Sequence, residues 1–129
     1  MSWPGAFLVF LVCHAVGDVL LQTDWQAMNK SRGLGDVAGR RALIRHVAIY
    51  TLAFLPALVW VAAERSVGRA VAVAAVIAVP HLLVDDGTAV RLWLQVIKGT
   101  HDAPKGLSIA VDQSFHVICL LGAALLANA

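Results

Sequence analysis

The residues in this chain that could do chemistry are histidine, aspartate and tyrosine side chains that occur in pairs four residues apart. In chain order the pairs are His14 with Asp18, His46 with Tyr50, His81 with Asp85, and Asp112 with His116. A spacing of four places both members of a pair on one helix face, about 6 Å apart along the axis. Imidazole and carboxylate groups suit zinc, iron or manganese. We therefore interpret the pairs as candidate metal ligands.

Each pair lies in an apolar segment with about the 20 residues that a helix needs to cross a lipid bilayer. The segments are residues 3–22, 42–63, 67–86 and 107–127. Pro80 should kink the third helix just before His81. Residues 88–98 are too short to span, and we predict an amphipathic interfacial helix there, anchored by Trp93. The predicted fold is all-α: a four-transmembrane-helix bundle with this short interfacial helix between helices three and four, in one integral membrane domain covering residues 1–129.

The composition of the chain favours a membrane protein. Of its 129 residues, 60% are hydrophobic and 14% are charged, whereas about a quarter of the residues of a soluble domain are charged. Cys13 and Cys119 both lie in apolar runs and are expected to act as small hydrophobic residues rather than as a disulfide. No basic cluster with interleaved aromatic residues indicates nucleic acid. No phosphate-binding loop or nucleophile elbow is present, which argues against ATP-driven and serine-hydrolase mechanisms.

The basic residues are distributed unevenly between the two sides of the predicted bundle. Eight of the ten Lys and Arg residues lie in regions 24–45 and 86–106, and the other two are Arg65 and Arg69. The positive-inside rule then places the two long loops in the cytoplasm and both termini outside, as in a multi-pass protein of the cell membrane. Lys30 is attributed to this topology, with recruitment of an anionic substrate to the cytoplasmic mouth as the alternative.

The four pairs are also predicted to lie at the same depth in the cytoplasmic half of the membrane. They fall near the C-terminal ends of helices one and three, and near the N-terminal ends of helices two and four. Three aspartates facing one another in a low dielectric would repel unless a cation were present. One ion takes three or four protein ligands, so we expect two divalent ions. The candidate ligands are His14, Asp18, His46, His81, Asp85, Asp112 and His116.

Other polar residues near the pairs are candidates for catalytic or substrate-binding roles. Tyr50 fits better as an acid or a hydrogen-bond donor than as a metal ligand. Gln22 and Gln113 each have two alternative roles: contact with the substrate, or solvation of a helix end. Asp24 has two alternative roles: a ligand at the membrane edge, or a residue that stops the helix. Asp86 points about 100° away from the preceding aspartate, so we expect it to be solvated or to cap a helix.

Four motifs carry a resemblance to a known family: His14-x3-Asp18-x3-Gln22-Thr23-Asp24-Trp25 followed by Lys30, His46-x3-Tyr50, His81-x3-Asp85, and Asp112-Gln113-x2-His116. Together they resemble the bacterial family called domain of unknown function 3307, a group of small integral membrane proteins. The resemblance covers nearly the whole chain, and the first motif is its most specific part. Val19 and Asp86 depart from the pattern, since an aromatic residue is expected after each aspartate. The resemblance implies a bacterial inner-membrane location and no established activity.

The function that these residues favour is that of a metal-dependent membrane enzyme, most simply a hydrolase. A di-iron-type oxidation is an alternative, as is a metal-assisted rearrangement of a small amino-acid-derived metabolite, including nitrogen–nitrogen bond formation. A proton or ion transport subunit, and a structural subunit whose polar cluster fixes helix packing, are the non-enzymatic alternatives. The expected partners are the lipid bilayer and a small-molecule substrate from the cytoplasmic side, with a homo-oligomer as a further option and no nucleic acid.

Overall fold

The computed structural model describes all 129 residues, which form helices joined by short connections. The elements are α1 (Trp3–Ala15), a π-helical turn (Val16–Leu20), α2 (Asp24–Asn29), a 3₁₀ turn (Lys30–Arg32), α3 (Val37–Ala53), α4 (Leu55–Glu64), α5 (Val67–Asp85), α6 (Thr88–Val96) and α7 (Lys105–Asn128). The all-α prediction is therefore confirmed.

Several of these helices have the length and composition of membrane spans. Three stretches qualify alone: Trp3–Leu20, Val67–Asp85 and Lys105–Asn128. Helices α3 and α4 qualify together, although they are bent by 51° at their junction. The chain thus has three helices that are long and apolar enough to cross a membrane, or four if the bent pair forms one span.

The bend between α3 and α4 has a local cause. Phe54 separates the two helices, and Pro56 occupies the first turn of α4. Proline has no N–H and its ring collides with the carbonyl group four residues earlier, so a helix cannot continue through it undisturbed. Helix α5, by contrast, runs through Pro80 as one element. A marked bend of the molecule therefore lies in the second apolar segment, at the junction of α3 and α4.

The four long helical units pack side by side, and each contacts two neighbours. Helix α5 lies against α3 and α4 on one side and against α7 on the other, while α1 packs on α7. The π-helical turn closes the arrangement by packing on α3. Phe10, Phe54, Ile77 and Leu120 are buried at the centre of the main apolar core. A smaller apolar cluster fixes α6 against α5 and α7; its members are Val84, Val90, Leu94 and Val111.

Helix α2 lies in a stretch for which the sequence predicts no helix. Its N-terminus is a capping box: the Gln26 N–H donates to Thr23 Oγ1 at 3.2 Å, and the Thr23 N–H donates to Gln26 Oε1 at 3.0 Å. The Thr-x-x-Gln spacing is the sequence signal for such a cap. Helix α3 also begins earlier than predicted, at Val37, because Asp36 caps it by accepting the Gly39 N–H at 2.7 Å.

Candidate metal centre

The structure brings the four predicted pairs together in one polar cluster. The first pair lies on α1 and the π-helical turn, and the others lie on α3, α5 and α7. Seven of these residues are buried, namely His14, Asp18, His46, Tyr50, His81, Asp85 and His116. The eighth, Asp112, has 24% of its side chain exposed. Residues far apart in the chain thus converge where the apolar core ends.

One group of potential ligands is formed by Asp18, His46, His81 and Asp85, whose ligand atoms all lie within 4.8 Å of one another. His46 Nε2 is 3.1 Å from Asp18 Oδ1, 3.1 Å from His81 Nε2 and 3.0 Å from Asp85 Oδ2. His81 Nε2 is 3.2 Å from Asp85 Oδ2 and 3.9 Å from Asp18 Oδ1. Ligands around a tetrahedral ion with bonds of about 2.0–2.1 Å are about 3.3 Å apart. These five distances, 3.0–3.9 Å, are close to that spacing, so the four side chains could hold one tetrahedral ion.

A second group consists of Asp18, Asp112 and His116, again within 4.8 Å. Within this group, His116 Nε2 is 3.5 Å from Asp112 Oδ2. The same nitrogen is 3.2 Å from Asp85 Oδ1, so His116 also reaches the first group. Gln113 links the carboxylates by donating from Nε2 to Asp18 Oδ2 at 3.0 Å and to Asp112 Oδ2 at 3.1 Å. The two groups are thus adjacent and share Asp18.

The buried ammonium group of Lys30 also belongs to this cluster. Lys30 Nζ donates to Asp85 Oδ2 at 2.8 Å and to Asp18 Oδ1 at 3.2 Å, and only 15% of the side chain is exposed. Burial alone would lower the pKa of Lys30, but the neighbouring Asp85 and Asp18 carboxylates raise it above its ordinary value. Lys30 is therefore charged, and it faces the same two oxygens as the first ligand group.

The sequence-based attribution of Lys30 to membrane topology overlooked this contact. The lysine lies on the 3₁₀ turn after α2, outside the apolar segments in which ligands were sought. The available signal was its position after the first motif.

His14 and Tyr50 lie beside the two ligand groups and are members of neither. Tyr50 Oη and His14 Nδ1 are 3.1 Å apart, and His14 Nε2 is 2.9 Å from Gln113 Oε1. The Tyr50 ring stacks on His81, with centroids 3.5 Å apart and planes 4° apart. Both nitrogens of His14 thus have hydrogen-bond partners.

A glycine allows this close contact between the first segment and α3. A Cβ atom built on Gly17 would lie 2.9 Å from Tyr50 Cδ2 and 3.1 Å from Tyr50 Cα. The side-chain-free position lets the π-helical turn approach the α3 backbone directly. Such π-helical turns recur at functional sites in other helices.

A cavity of about 860 Å³ leads to the cluster from the side of α2, α6 and α7. Gln22, Asp24, Asp112 and Gln113 all line it. The Oε1 atom of Gln22 is buried without a hydrogen-bond partner, whereas Asp24 is exposed at the first position of α2. All the predicted catalytic residues except Tyr50 therefore border this cavity.

Asp86 lies outside the cluster and holds a loop in place. Its carboxylate accepts the Leu34 N–H at 3.0 Å and the Thr88 hydroxyl. The Thr88 hydrogen bond, followed by that from the Leu34 N–H, keeps the pKa of Asp86 below its ordinary value. This agrees with the expected capping role and ties the loop after Lys30 to the junction between α5 and α6.

The fold and the site define a class of protein: an apolar all-helical chain with several candidate membrane spans around a buried His/Asp cluster that could hold a metal ion. The chain belongs to the family described as "Protein of unknown function (DUF3307)", which matches residues 6–128. Neither the curated proteins nor the solved structures contain a match.

Proposed function

We propose that this protein is a metal-dependent integral membrane enzyme that binds zinc, iron or manganese between Asp18, His46, His81 and Asp85. The observation that carries the proposal is the convergence of four ligand atoms, one from each side chain, within 4.8 Å. All four residues are buried, and two buried carboxylates with two imidazoles are a donor set that suits these ions. A divalent ion there would lower the pKa of a water molecule, which makes hydrolysis the simplest chemistry.

The hydrogen bond between two histidines favours one ion over the two that the ligand count predicts. His81 Nδ1 and His116 Nδ1 are 3.2 Å apart, so one of them donates to the other. A neutral imidazole carries a single N–H. If His81 Nε2 binds an ion, His81 Nδ1 must donate, and His116 Nε2 then carries a hydrogen towards Asp85 Oδ1, 3.2 Å away. A second ion on His116 Nε2 would displace this hydrogen, so the His81–His116 hydrogen bond would have to break.

The residues around the ion form a continuous chain of hydrogen bonds. With His14 neutral, Tyr50 Oη donates to His14 Nδ1, and His14 Nε2 donates to Gln113 Oε1. Gln113 in turn donates to Asp18 Oδ2. In this proposal Tyr50 and Gln113 orient the site and stabilise its charge, while Gln22 and Asp24 contact the substrate in the cavity.

The proposed setting is a bilayer that the chain crosses four times, with the bent α3–α4 pair as one span. The exposed apolar side chains on the long helices, such as Leu8, Leu52 and Ile118, suit contact with lipid. Helix α6 would lie in the interface, because it buries Leu94 while it exposes Leu92 and neighbouring apolar residues. The basic loops would face the cytoplasm, together with the metal centre.

The alternatives differ in what they require of the cluster. A di-iron-type oxidation or a metal-assisted rearrangement needs iron or a second ion. A proton path or a packing network needs no metal, and Lys30 favours it, since its ammonium group already pairs with Asp18 and Asp85. Metal content therefore separates the enzyme proposal from the non-enzymatic ones.

The decisive experiment is elemental analysis of the detergent-purified protein after reconstitution with zinc, iron or manganese in turn. We expect about one ion per chain in the wild type. His81→Asn and His46→Asn should both lose it, because each removes one ligand. His101→Asn is the matched control, since this histidine is exposed in the loop before α7.

Each result has a distinct meaning. Two ions per chain would restore the dinuclear site and show that the His81–His116 contact opens. Iron that confers colour and oxygen-dependent chemistry would replace hydrolysis with oxidation. A folded wild-type protein without any ion would overturn the proposal and leave the cluster as a proton path or a packing device.

A further inference from the structure

Two cations in the cavity beside the candidate centre have no carboxylate partner. Arg91 on α6 and Lys105 at the start of α7 both line the cavity of about 860 Å³, and neither forms an ion pair. Arg91 Nη2 donates to Thr88 Oγ1 at 3.1 Å, which holds the guanidinium group at the cavity wall. Arg91 also donates from Nη1 to the Ser31 carbonyl oxygen at 3.5 Å, so it binds an anion with its remaining N–H groups, and Lys105 forms no side-chain hydrogen bond that would compete.

Four carboxylates line the same cavity, those of Asp18, Asp24, Asp85 and Asp112, beside the three cations Lys30, Arg91 and Lys105. With a divalent ion bound, five positive charges face four negative ones, so the cavity is net positive only in the metal-bound protein. Asp18 and Asp85 pair with Lys30, and in the proposed function they also bind the ion. Ser31 and Ser108 line the same cavity, and each has a hydroxyl group that can donate a hydrogen bond. Cations and hydroxyl groups of this kind bind the oxygen atoms of a phosphate group through charge-assisted hydrogen bonds.

An apolar wall of the cavity reaches the outer surface of the helices. Val19 on the π-helical turn and Ile109 on α7 line the cavity, yet they are 67% and 51% exposed. In a bilayer this seam between the first and last spans would face lipid. Val84, Val90 and Leu94 continue the apolar lining towards the interior. A ligand here can keep a polar head in the cavity while its apolar chain stays in the membrane.

We propose that the cavity binds an amphiphile whose headgroup is a phosphate monoester, with Arg91 and Lys105 on the phosphate oxygens. The inference rests on the proposed function and names its substrate class. In the hydrolysis, a water oxygen forms a bond to phosphorus and the bond from phosphorus to the lipid oxygen breaks. The proton released by water ends on the departing alkoxide, so the products are a lipid alcohol and inorganic phosphate.

The test measures binding and hydrolysis by the full-length, metal-reconstituted protein in detergent micelles. The probes are a single-chain lipid phosphate monoester, a lipid with the same chain and a trimethylammonium head, and inorganic phosphate. The test variant is Arg91→Gln combined with Lys105→Gln. Lys98→Gln is the charge-matched control, because Lys98 is exposed just after α6 and does not line the cavity. Metal content is measured in parallel for every sample.

We expect the lipid phosphate to bind the wild type and Lys98→Gln alike, and to bind the double variant at least about tenfold more weakly at unchanged metal content, since two charge-assisted contacts are lost. The double variant should also release inorganic phosphate from the lipid more slowly than the wild type. Equal binding of the trimethylammonium lipid would overturn the inference, as would equal affinity of the double variant. If inorganic phosphate bound as tightly as the lipid phosphate, the proposed ligand would be a soluble phosphate ester and the amphiphile would be ruled out. Absence of metal from the wild type would refute the proposed function. Equal lipid binding by the wild type and the double variant would refute the phosphate site, so the two failures are distinguishable.

Discussion

The two halves of the helix bundle are held together by different forces. In one half, large and small apolar side chains fill the space between the helices, and Phe10, Phe54 and Ala123 are completely buried. At its end, Arg69 Nη1 donates to the Leu126 carbonyl oxygen at 2.8 Å and so satisfies a free carbonyl of the α7 C-terminus. This half needs no ligand to account for any of these side chains.

The other half places charged and polar groups where the apolar half places alkyl groups and rings. Asp85 alone contacts Lys30, His46, His81 and His116 within 3.2 Å. Buried ionic clusters of this kind rarely increase stability over apolar packing, because the desolvation penalty offsets the attraction. The contrast supports the proposal that the apolar half maintains the fold while the polar half serves the metal centre.

The largest expected effect comes from removing the central carboxylate. Asp85→Ala should lower the free energy of unfolding by about 3–5 kcal/mol, because it leaves a buried ammonium group and several imidazoles without their anion. It should also abolish metal binding. Thermal unfolding in detergent and elemental analysis measure the two effects.

The adjacent Asp86→Ala is the matched control for this substitution. It should cost about 1 kcal/mol for the lost loop hydrogen bonds and retain the ion. If Asp85→Ala and Asp86→Ala lost similar amounts of stability and of metal, the distinction between an apolar half and a polar half of the bundle would be contradicted.

Lys30→Met sharpens the comparison by removing the cation that the protein itself supplies. Without metal, the variant should be about 3 kcal/mol less stable, since Asp18 and Asp85 then face each other uncompensated. Added metal should stabilise Lys30→Met more than it stabilises the wild type, because the ion becomes the only cation at these oxygens. Melting temperatures with and without metal provide the measurement. An equal metal-induced shift in wild type, Lys30→Met and the exposed control Lys98→Met would refute the shared role.

Gly17→Ala probes the contact that joins the first segment to α3. The added methyl group would meet Tyr50 at 2.9–3.1 Å, so stability should fall by about 1–3 kcal/mol. Gly122→Ala is the matched control on α7, where an added Cβ meets nothing within 4 Å. That variant should be unchanged or more stable by up to about 1 kcal/mol, since alanine favours the helix. Chemical or thermal denaturation that ranks the two variants equally would contradict the close approach.

Tyr50→Phe should have the smallest effect of the series. It removes the hydroxyl group that reaches His14 and keeps the ring that stacks on His81, so the cost should be about 1 kcal/mol with the metal retained. Thr51→Val removes a hydroxyl group on the same helix that bonds only to the Val47 carbonyl oxygen, at 2.8 Å. If Tyr50→Phe lost the ion while Thr51→Val kept it, Tyr50 would have to act on the ligands themselves, contrary to its place beside the two groups.

The parts of the structure that could be predicted from sequence are those set by local pattern. Long apolar runs indicate the long helices, and the spacing of four indicates which side chains share a face. The convergence of His46, His81 and Asp85 followed from their similar distances to helix ends. A short helix was also expected at residues 88–98, and α6 is observed there as Thr88–Val96.

The parts that could not be predicted depend on contacts between distant segments. Lys30 reaches Asp18 and Asp85 only because α2 and the loop tied to Asp86 fold back over the cluster. His14 is turned towards Tyr50 and Gln113 by the approach at Gly17, and spacing alone does not distinguish this from metal ligation. The ligand count favours two ions, and it does not contain the His81–His116 contact from which we propose one, because that contact is a tertiary feature.

The π-helical turn at Val16–Leu20 has a consequence for how this sequence can vary. Its wider winding presents Asp18 to His46 at 3.1 Å. Deleting one residue there would leave the hydrophobic character of the segment intact, yet it would tighten the wide turn into an ordinary α turn and change the direction in which Asp18 points. Exposed apolar side chains such as Val12 and Leu20 can therefore be exchanged for other apolar residues in evolution or by design, whereas the number of residues between His14 and Gln22 is constrained.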